Sequence, residues 1–285
     1  MSGRASLAAG HITRTRRAGA GLAALAAALL AGCAGGQPLL HPARALPTGD
    51  VRASAGLSAN GVIGSASDDL ARAREIAARD ASAPGEPGTS PEYAKGALVA
   101  AALAPGLAPV VAARVGVGER FEGGLGYTGR AVRLDARRSF DFGNLSLSAG
   151  LGGSAALYGN GSESALDKVD VGALHGWGGD LPLLVGWRSS AGMYQAWGGA
   201  RAGLETISIE RVTSEPRAGF PGPIGLDAFR WWVGGLAGFA IGFRHLHVAA
   251  ELGVAWQHVK GSYNKTDATV TGVTLTPGTA LWWTF

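Results

Sequence analysis

From Asp50 onward apolar residues alternate with small or polar ones at a period of two, broken by polar or Gly/Pro-rich stretches, a pattern that predicts many strands. In Asn144 to Tyr158, Leu145, Leu147, Ala149, Leu151, Ala155 and Leu157 share one face, and Ser146, Ser148, Gly150, Gly152, Ser154 and Ala156 the other. Ala228 to Phe243 groups Phe229, Trp231, Val233, Ala237, Phe239, Ile241 and Phe243, and His245 to Gln257 groups Leu246, Val248, Ala250, Leu252, Val254 and Trp256. Phe121 to Arg137 alternates as well, with a phase slip near Gly129 to Ala131 that is consistent with a β-bulge.

An apolar exterior around a small or polar interior is what a transmembrane barrel requires. Lipid accepts only apolar side chains, and a closed sheet leaves no backbone group unpaired. A soluble β-sandwich also alternates, but its strands are usually shorter, and here aromatics gather near strand ends, as at Trp231, Trp256, Trp283 and Phe285. The expected fold is therefore all-β, a closed antiparallel transmembrane β-barrel with one short helix in its N-terminal part.

Eight strands are expected near 269–285, 245–260, 227–243, 192–208, 180–188, 143–158, 121–138 and 108–117. Asp50 to Ser58 alternates, and Tyr93 to Leu103 is apolar and ends at the turn signal Ala104-Pro105-Gly106. Both taken as strands, the count is about ten, with 59–92 as a loop insertion whose short helix starts at Ser67-Asp68-Asp69. The alternative is eight strands preceded by a periplasmic segment, 34–106. A membrane helix over Ala97 to Val115 is disfavoured by Pro105, Gly106 and Pro109.

The first 32 residues carry Arg4, Arg14, Arg16 and Arg17 and no acid, followed by an Ala/Leu/Gly run too short to span a membrane, the order of a secretory signal. Without these four arginines, 21 basic face 21 acidic residues, so the formal charge of +4 belongs to the signal and nucleic acid is not an expected partner. Leu30-Ala31-Gly32-Cys33 then resembles the bacterial lipobox, which implies acylation of Cys33 after a 1–32 signal peptide, a lipid-anchored linker over 33–49 and a barrel over 50–285. The competing reading is an ordinary signal cut further on, for instance after Ala43-Arg44-Ala45.

The chain's end, Thr279, Leu281, Trp283 and Phe285, alternates to a terminal aromatic and resembles the C-terminal insertion signal of outer-membrane barrels, here Leu281, Trp283 and Phe285. The whole looks like the small outer-membrane barrel proteins of Gram-negative bacteria, and its Ala/Gly content resembles that of a GC-rich source such as a myxobacterium. The resemblance implies outer-membrane lipid and the barrel-insertion and lipoprotein-export machineries as partners. It implies an anchor on the periplasmic side, where both termini of such barrels lie, and it leaves room for a surface or periplasmic protein partner.

Alternation points Arg52, Arg114, Glu122, Arg130, Arg133, Asp135, Arg137, Arg201, Glu205, His247 and Glu251 inward, as a mixed-charge network filling a narrow lumen. A structural or surface-interaction role is the first expectation, a narrow pore or small-ligand transporter the alternative, and an enzyme acting on lipid A or peptides the least supported. His245 and His247 lack the Ser-Asn that would resemble lipid A deacylases. Asp68-Asp69 with Asp170 to His175 offers no local match to omptin proteases. No enzyme, metal or cofactor is expected: the six His have no paired ligand spacing, and Cys33 is assigned to lipid.

Overall fold

A computed structural model describes residues 36–80, 90–156, 166, 174–209 and 225–285. The signal segment, Cys33 and Asp170 lie outside them. Ten antiparallel strands close into a barrel: β1 (Val51–Ile63), β2 (Gly106–Gly118), β3 (Phe121–Tyr127), β4 (Ala131–Phe142), β5 (Leu145–Ala156), β6 (Leu174–Arg188), β7 (Tyr194–Ile209), β8 (Leu226–Phe243), β9 (Leu246–Tyr263) and β10 (Thr266–Thr284). Each strand pairs with its sequence neighbour, and β1 closes the ring on β10 with Ala53 opposite Trp283 and Ile63 opposite Val273.

The alternation explains the closure. Leu134, Leu151, Leu181, Leu183, Val185, Phe239, Val248 and Leu252 all stand exposed on the outside, far more apolar surface than a water-soluble monomer presents. Aromatics border this belt. Phe121, Phe140, Phe142, Trp187, Phe243, Trp283 and Phe285 cluster toward the rim that holds Val51 and the C-terminus, called here the near rim. Arg138 lies 5.1 Å from the rings of both Phe121 and Phe140 there. Trp231 packs on Trp256 toward the far rim, with centroids 4.9 Å apart. Leu281, Trp283 and Phe285 all point outward. The β9–β10 hairpin turns at Asn264-Lys265, both at positive φ, the geometry that matches the twist of two paired strands.

The count of ten stands, but two of the ten segments differ from expectation. Tyr93 to Leu103 is not a strand. It forms helix α2 (Pro91–Leu98) and a π-helical turn (Val99–Leu103) behind helix α1 (Ser65–Asp80). An Ala-rich run without alternation is a better helix than strand, and Ser90 caps it by accepting from the Tyr93 amide at 3.2 Å, with Pro91 in the first turn. Lys95 apart, the run is apolar all round because it is buried all round.

Phe121 to Arg138, expected as one strand, is the β3–β4 hairpin. The slip near Gly129 is its three-residue turn, Thr128 to Arg130, with Gly129 at φ +77°. Glu122 and Gly124 face inward in β3 and Arg133, Asp135 and Arg137 in β4, so the turn changes which parity points in. The bulge lies instead at Gly116/Gly118. One expected strand was lost and one gained, so the parity held while the connection at 104–106 moved to the far rim and that at 119–120 to the near rim.

Candidate functional site

The barrel's interior is the only chemically rich region among the described residues, and two elements fill it. From the far rim, the α1–α2 unit brings Tyr93, Leu98, Val99 and Leu103 against the inward faces of Ile207, Leu226, Val259, Tyr263 and Val270. Close helix packing here needs a glycine, since a Cβ on Gly96 would stand 2.1 Å from the Cβ of Ala73. The helical stretch ends with its carbonyls met by the wall: Arg230 donates to Ala102 O at 2.7 Å, and Asn60 donates to Leu103 O.

The second element is the segment Gly36 to Leu46, expected as a linker outside the barrel. It runs inside the lumen from mid-height to the near rim. The correction has a physical reason: an extended segment has no internal partners, so its buried backbone must be satisfied by the wall. Glu251 accepts from the Leu39 amide at 2.7 Å and the Leu40 amide at 3.0 Å, and Glu122 accepts from the Leu46 amide at 2.8 Å. Arg137 donates to Pro42 O and, at 3.1 Å, to Arg44 O, while Arg201 donates to Gln37 O. Inward glycines give it room, since a Cβ on Gly116 would lie 2.0 Å from Pro47 O and one on Gly278 would lie 2.9 Å from the Pro38 ring.

All eleven residues expected to face the lumen are buried. An alternating row of guanidinium and carboxylate groups joins seven side chains: Arg137, Glu122, Arg114, Asp135, Arg133, Asp180 and Arg201. Glu122 accepts from Arg137 at 2.9 and 3.1 Å and from Arg114. Asp180 accepts from Arg133 at 2.9 and 3.0 Å and from Arg201 at 2.7 Å. Farther up, Glu205 serves Arg230 and, at 3.6 Å, Arg130. Arg52 lies 4.8 Å over the Trp282 ring, and His247 Nε2 is 3.1 Å from Gly192 O.

Asp180, Arg230, Trp197 and Trp282 belong to the same interior and were missed. Alternation could have found the first two. Asp180 shares the parity of buried Leu184, opposite Leu181, Leu183 and Val185, and Arg230 lies between outward Phe229 and Trp231. The buried segment had only a faint signal, Leu39-Leu40 in a supposedly exposed linker. Seven buried arginines now face five buried carboxylates (Glu122, Asp135, Asp180, Glu205 and Glu251) among the described residues.

His41, in the threaded segment, places Nδ1 2.8 Å from a guanidinium nitrogen of Arg137 and so accepts there as a neutral ring. Burial, with Arg114, Arg137 and Arg133 nearby, holds its pKa well below the usual histidine value. The unfolded chain binds this proton from about pH 6.5 downward and the folded one does not, so stability falls on acidification. Between pH 6.5 and 5 the slope is expected to approach about 1.4 kcal/mol per pH unit, and His41→Phe to flatten it, in equilibrium unfolding followed by tryptophan emission.

The ten-stranded wall, apolar outside and occupied inside by two elements of its own chain, defines a closed antiparallel β-barrel of the membrane type. No protein-family model matches the sequence, and no curated protein sequence does. Solved barrels share its architecture at low identity. Neisserial surface protein A is 10% identical, with 83% of this chain and 96% of that one aligned at a TM-score of 0.33. The outer membrane protease OmpT of Escherichia coli gives 10%, 83%, 97% and 0.39, and OprG of Pseudomonas aeruginosa 10%, 85%, 98% and 0.33. The likeness is one of barrel type. Asp68 and Asp69 begin α1, and His245 bonds Thr284 O at 2.7 Å at the near rim, well away from His175 at the start of β6. Among the described residues, no three His, Cys, Asp or Glu side chains are grouped to hold a metal ion.

Proposed function

We propose that the chain is an integral outer-membrane barrel that works through its surface, as a structural or surface-interaction protein, and does not conduct solutes. The observation that carries this reading is the double filling of the lumen, by the helical unit from the far rim and by Gly36 to Leu46 from the near one. A barrel with a mobile loop across its mouth could gate. Here Glu122, Glu251, Arg137 and Arg201 hold the threaded segment and Arg230 the helical unit, while Arg114, Asp135, Arg133 and Asp180 pair with one another. The near rim, which carries the C-terminal aromatic, faces the periplasm in this reading, and the far rim offers the partner-binding face. Outer-membrane lipid covers the apolar belt, and the insertion and lipoprotein-export machineries handle delivery.

Planar-bilayer recording of the intact refolded chain tests it. Conductance at background is expected, and discrete channel events would overturn the closed-lumen reading in favour of a narrow pore.

Cys33 is proposed as the acylated residue, and the threaded segment constrains how. Gly36 accepts from Ser58 beside Thr276, and Thr276 precedes the C-terminus by nine residues. That puts Gly36 roughly 23 Å above the near rim at about 3.3 Å per residue and a tilt near 40°. Three residues of extended chain span at most about 11 Å. An acyl group on Cys33 in the periplasmic leaflet and a seated Gly36 to Leu46 therefore exclude each other, so that in an acylated molecule the helical unit alone closes the lumen, as it does in a chain without the threaded segment. Fatty-acid labelling in cells is expected to vanish in Cys33→Ser. In the labelled fraction, residues 36–46 are expected to be cleavable by added protease, while the serine variant resists. The buried role of residues 36–46 also weighs against a signal cut after Ala45, which would discard them.

A further inference from the structure

Between the two fillings lies a cavity of about 80 Å³, bounded by Gly36 to Pro38 below and Leu103 above, with Arg201, Arg230, Trp232 and Gln257 in its wall. A water needs roughly 10–15 Å³ of such space, so this one holds about five to eight waters, or one compact polyatomic ion with a few waters. Its wall has polar atoms with nothing to bond. Arg201 Nη2, Arg230 Nε and Gln257 Oε1 are buried without a hydrogen-bond partner, on side chains that are 7%, 9% and 6% exposed. Leaving a buried donor unmatched is costly, most of all on a cation.

The nearby carboxylates, of which Glu251 lines the cavity, are engaged elsewhere, and Glu205 accepts from Arg230 through Nη2. Glu251 accepts from the Leu39 amide at Oε1 and from the Leu40 amide and Trp197 Nε1 at Oε2, and Asp180 is shared between Arg133 and Arg201. Among the described residues the interior carries two more buried arginines than carboxylates, counting Arg52 at the near rim. Arg201 is fixed by its bonds to Asp180 and Gln37 O with its guanidinium carbon 5.0 Å over the Trp232 ring, so its open edge cannot readily turn elsewhere.

We propose that this cavity is a binding site for one small oxyanion, and that hydrogenphosphate fits it best. The guanidinium edges supply the charge and the donors. Gln257 supplies the selectivity. Its Nε2 donates to Thr274 Oγ1 at 2.9 Å, and that hydroxyl is itself directed at Ala255 O at 3.5 Å, which fixes the amide with Oε1 toward the cavity. An acceptor beside two open guanidinium edges calls for an anion with its own O–H. Hydrogenphosphate has one, and sulfate has none.

The test uses the full mature chain refolded with radiolabelled phosphate and then dialysed to equilibrium at constant ionic strength in chloride. One phosphate per folded chain is expected, displaced by sulfate only at severalfold higher concentration. Ala255→Leu fills the cavity without touching an ion pair and should weaken binding at least tenfold, with the heat-modifiable gel shift retained. Gln257→Leu, which also leaves every ion pair in place, should bring phosphate and sulfate to equal affinity. Absence of saturable binding by the folded chain, or binding unchanged in either variant that folds, overturns the proposal and means the cavity holds water alone. This outcome is independent of the bilayer recording, which reads passage and not occupancy.

Discussion

Conductance should appear only when both fillings are removed. A chain starting at Pro47 lacks the threaded segment but keeps the helical unit against Tyr263 and Leu226, and is expected to stay at background in a planar bilayer. A chain with residues 61–105 replaced by a short turn is expected to do the same, because Gly36 to Leu46 still occupies the lower lumen. That replacement is geometrically permitted, since Asn60 of β1 already lies opposite Gly106 of β2. The double deletion is expected to give discrete channel events, with anions favoured over cations by the excess of buried arginine over carboxylate. A ten-stranded barrel is narrow, so the events should be small. Loss of the gel shift would identify a deletion that failed to fold. A folded double deletion at background would show that the wall's own side chains, and not the two fillings, close the path.

Glu122→Ala should be the most damaging single substitution in the interior. Its carboxylate is fully buried and takes donors from Arg114, from both Arg137 nitrogens and from the Leu46 amide, so one side chain ties β2, β3, β4 and the threaded segment together. Removing it leaves Arg137 without a carboxylate and Arg114 with Asp135 alone, in a place water reaches poorly. Breaking a buried pair in this way costs about 3–5 kcal/mol. The loss is expected in urea unfolding from detergent micelles, and Glu122→Gln, which keeps one acceptor oxygen, should lose about half as much. Glu75→Ala gives the contrast. Its partner Arg79 lies 3.4 Å away on the solvated face of α1, and such exposed pairs contribute about 0–1 kcal/mol. Equal effects of the two substitutions would contradict the interior's role in holding the fold.

Alternation was legible because a strand in a barrel wall has only two environments, lipid and lumen, and each residue is sorted by its own chemistry. That is why Leu145, Leu147 and Leu151 face out and Ser146 and Ser148 face in, and why Arg133, Asp135 and Arg137 could be placed inside before any partner was known. The closing segment to Phe285 was equally clear, since its outward aromatics answer to the membrane and not to another part of the chain.

What alternation does not encode is whether a segment faces a wall or fills the space inside one. Tyr93 to Leu103 is apolar on every side, which suits a lipid-facing strand and a buried helix alike, and only the lumen at the far rim made it a helix. Gly129 marked a disturbance, but a bulge and a tight turn leave the same trace until the pairing of Gly123 with Ala136 decides between them. Above all, Gly36 to Leu46 carries no periodic signal. Its position depends on carboxylates and guanidinium groups 76 to 212 residues away along the chain, reaching a backbone that has no partners of its own. By itself the sequence determined the two faces of the wall, because those depend on one residue at a time, whereas its count of ten held because the strand lost at Tyr93 to Leu103 was offset by the one gained at the β3–β4 turn. Only the tertiary structure decided that the wall encloses its own N-terminal segment, because that depends on which distant groups are left to satisfy one another.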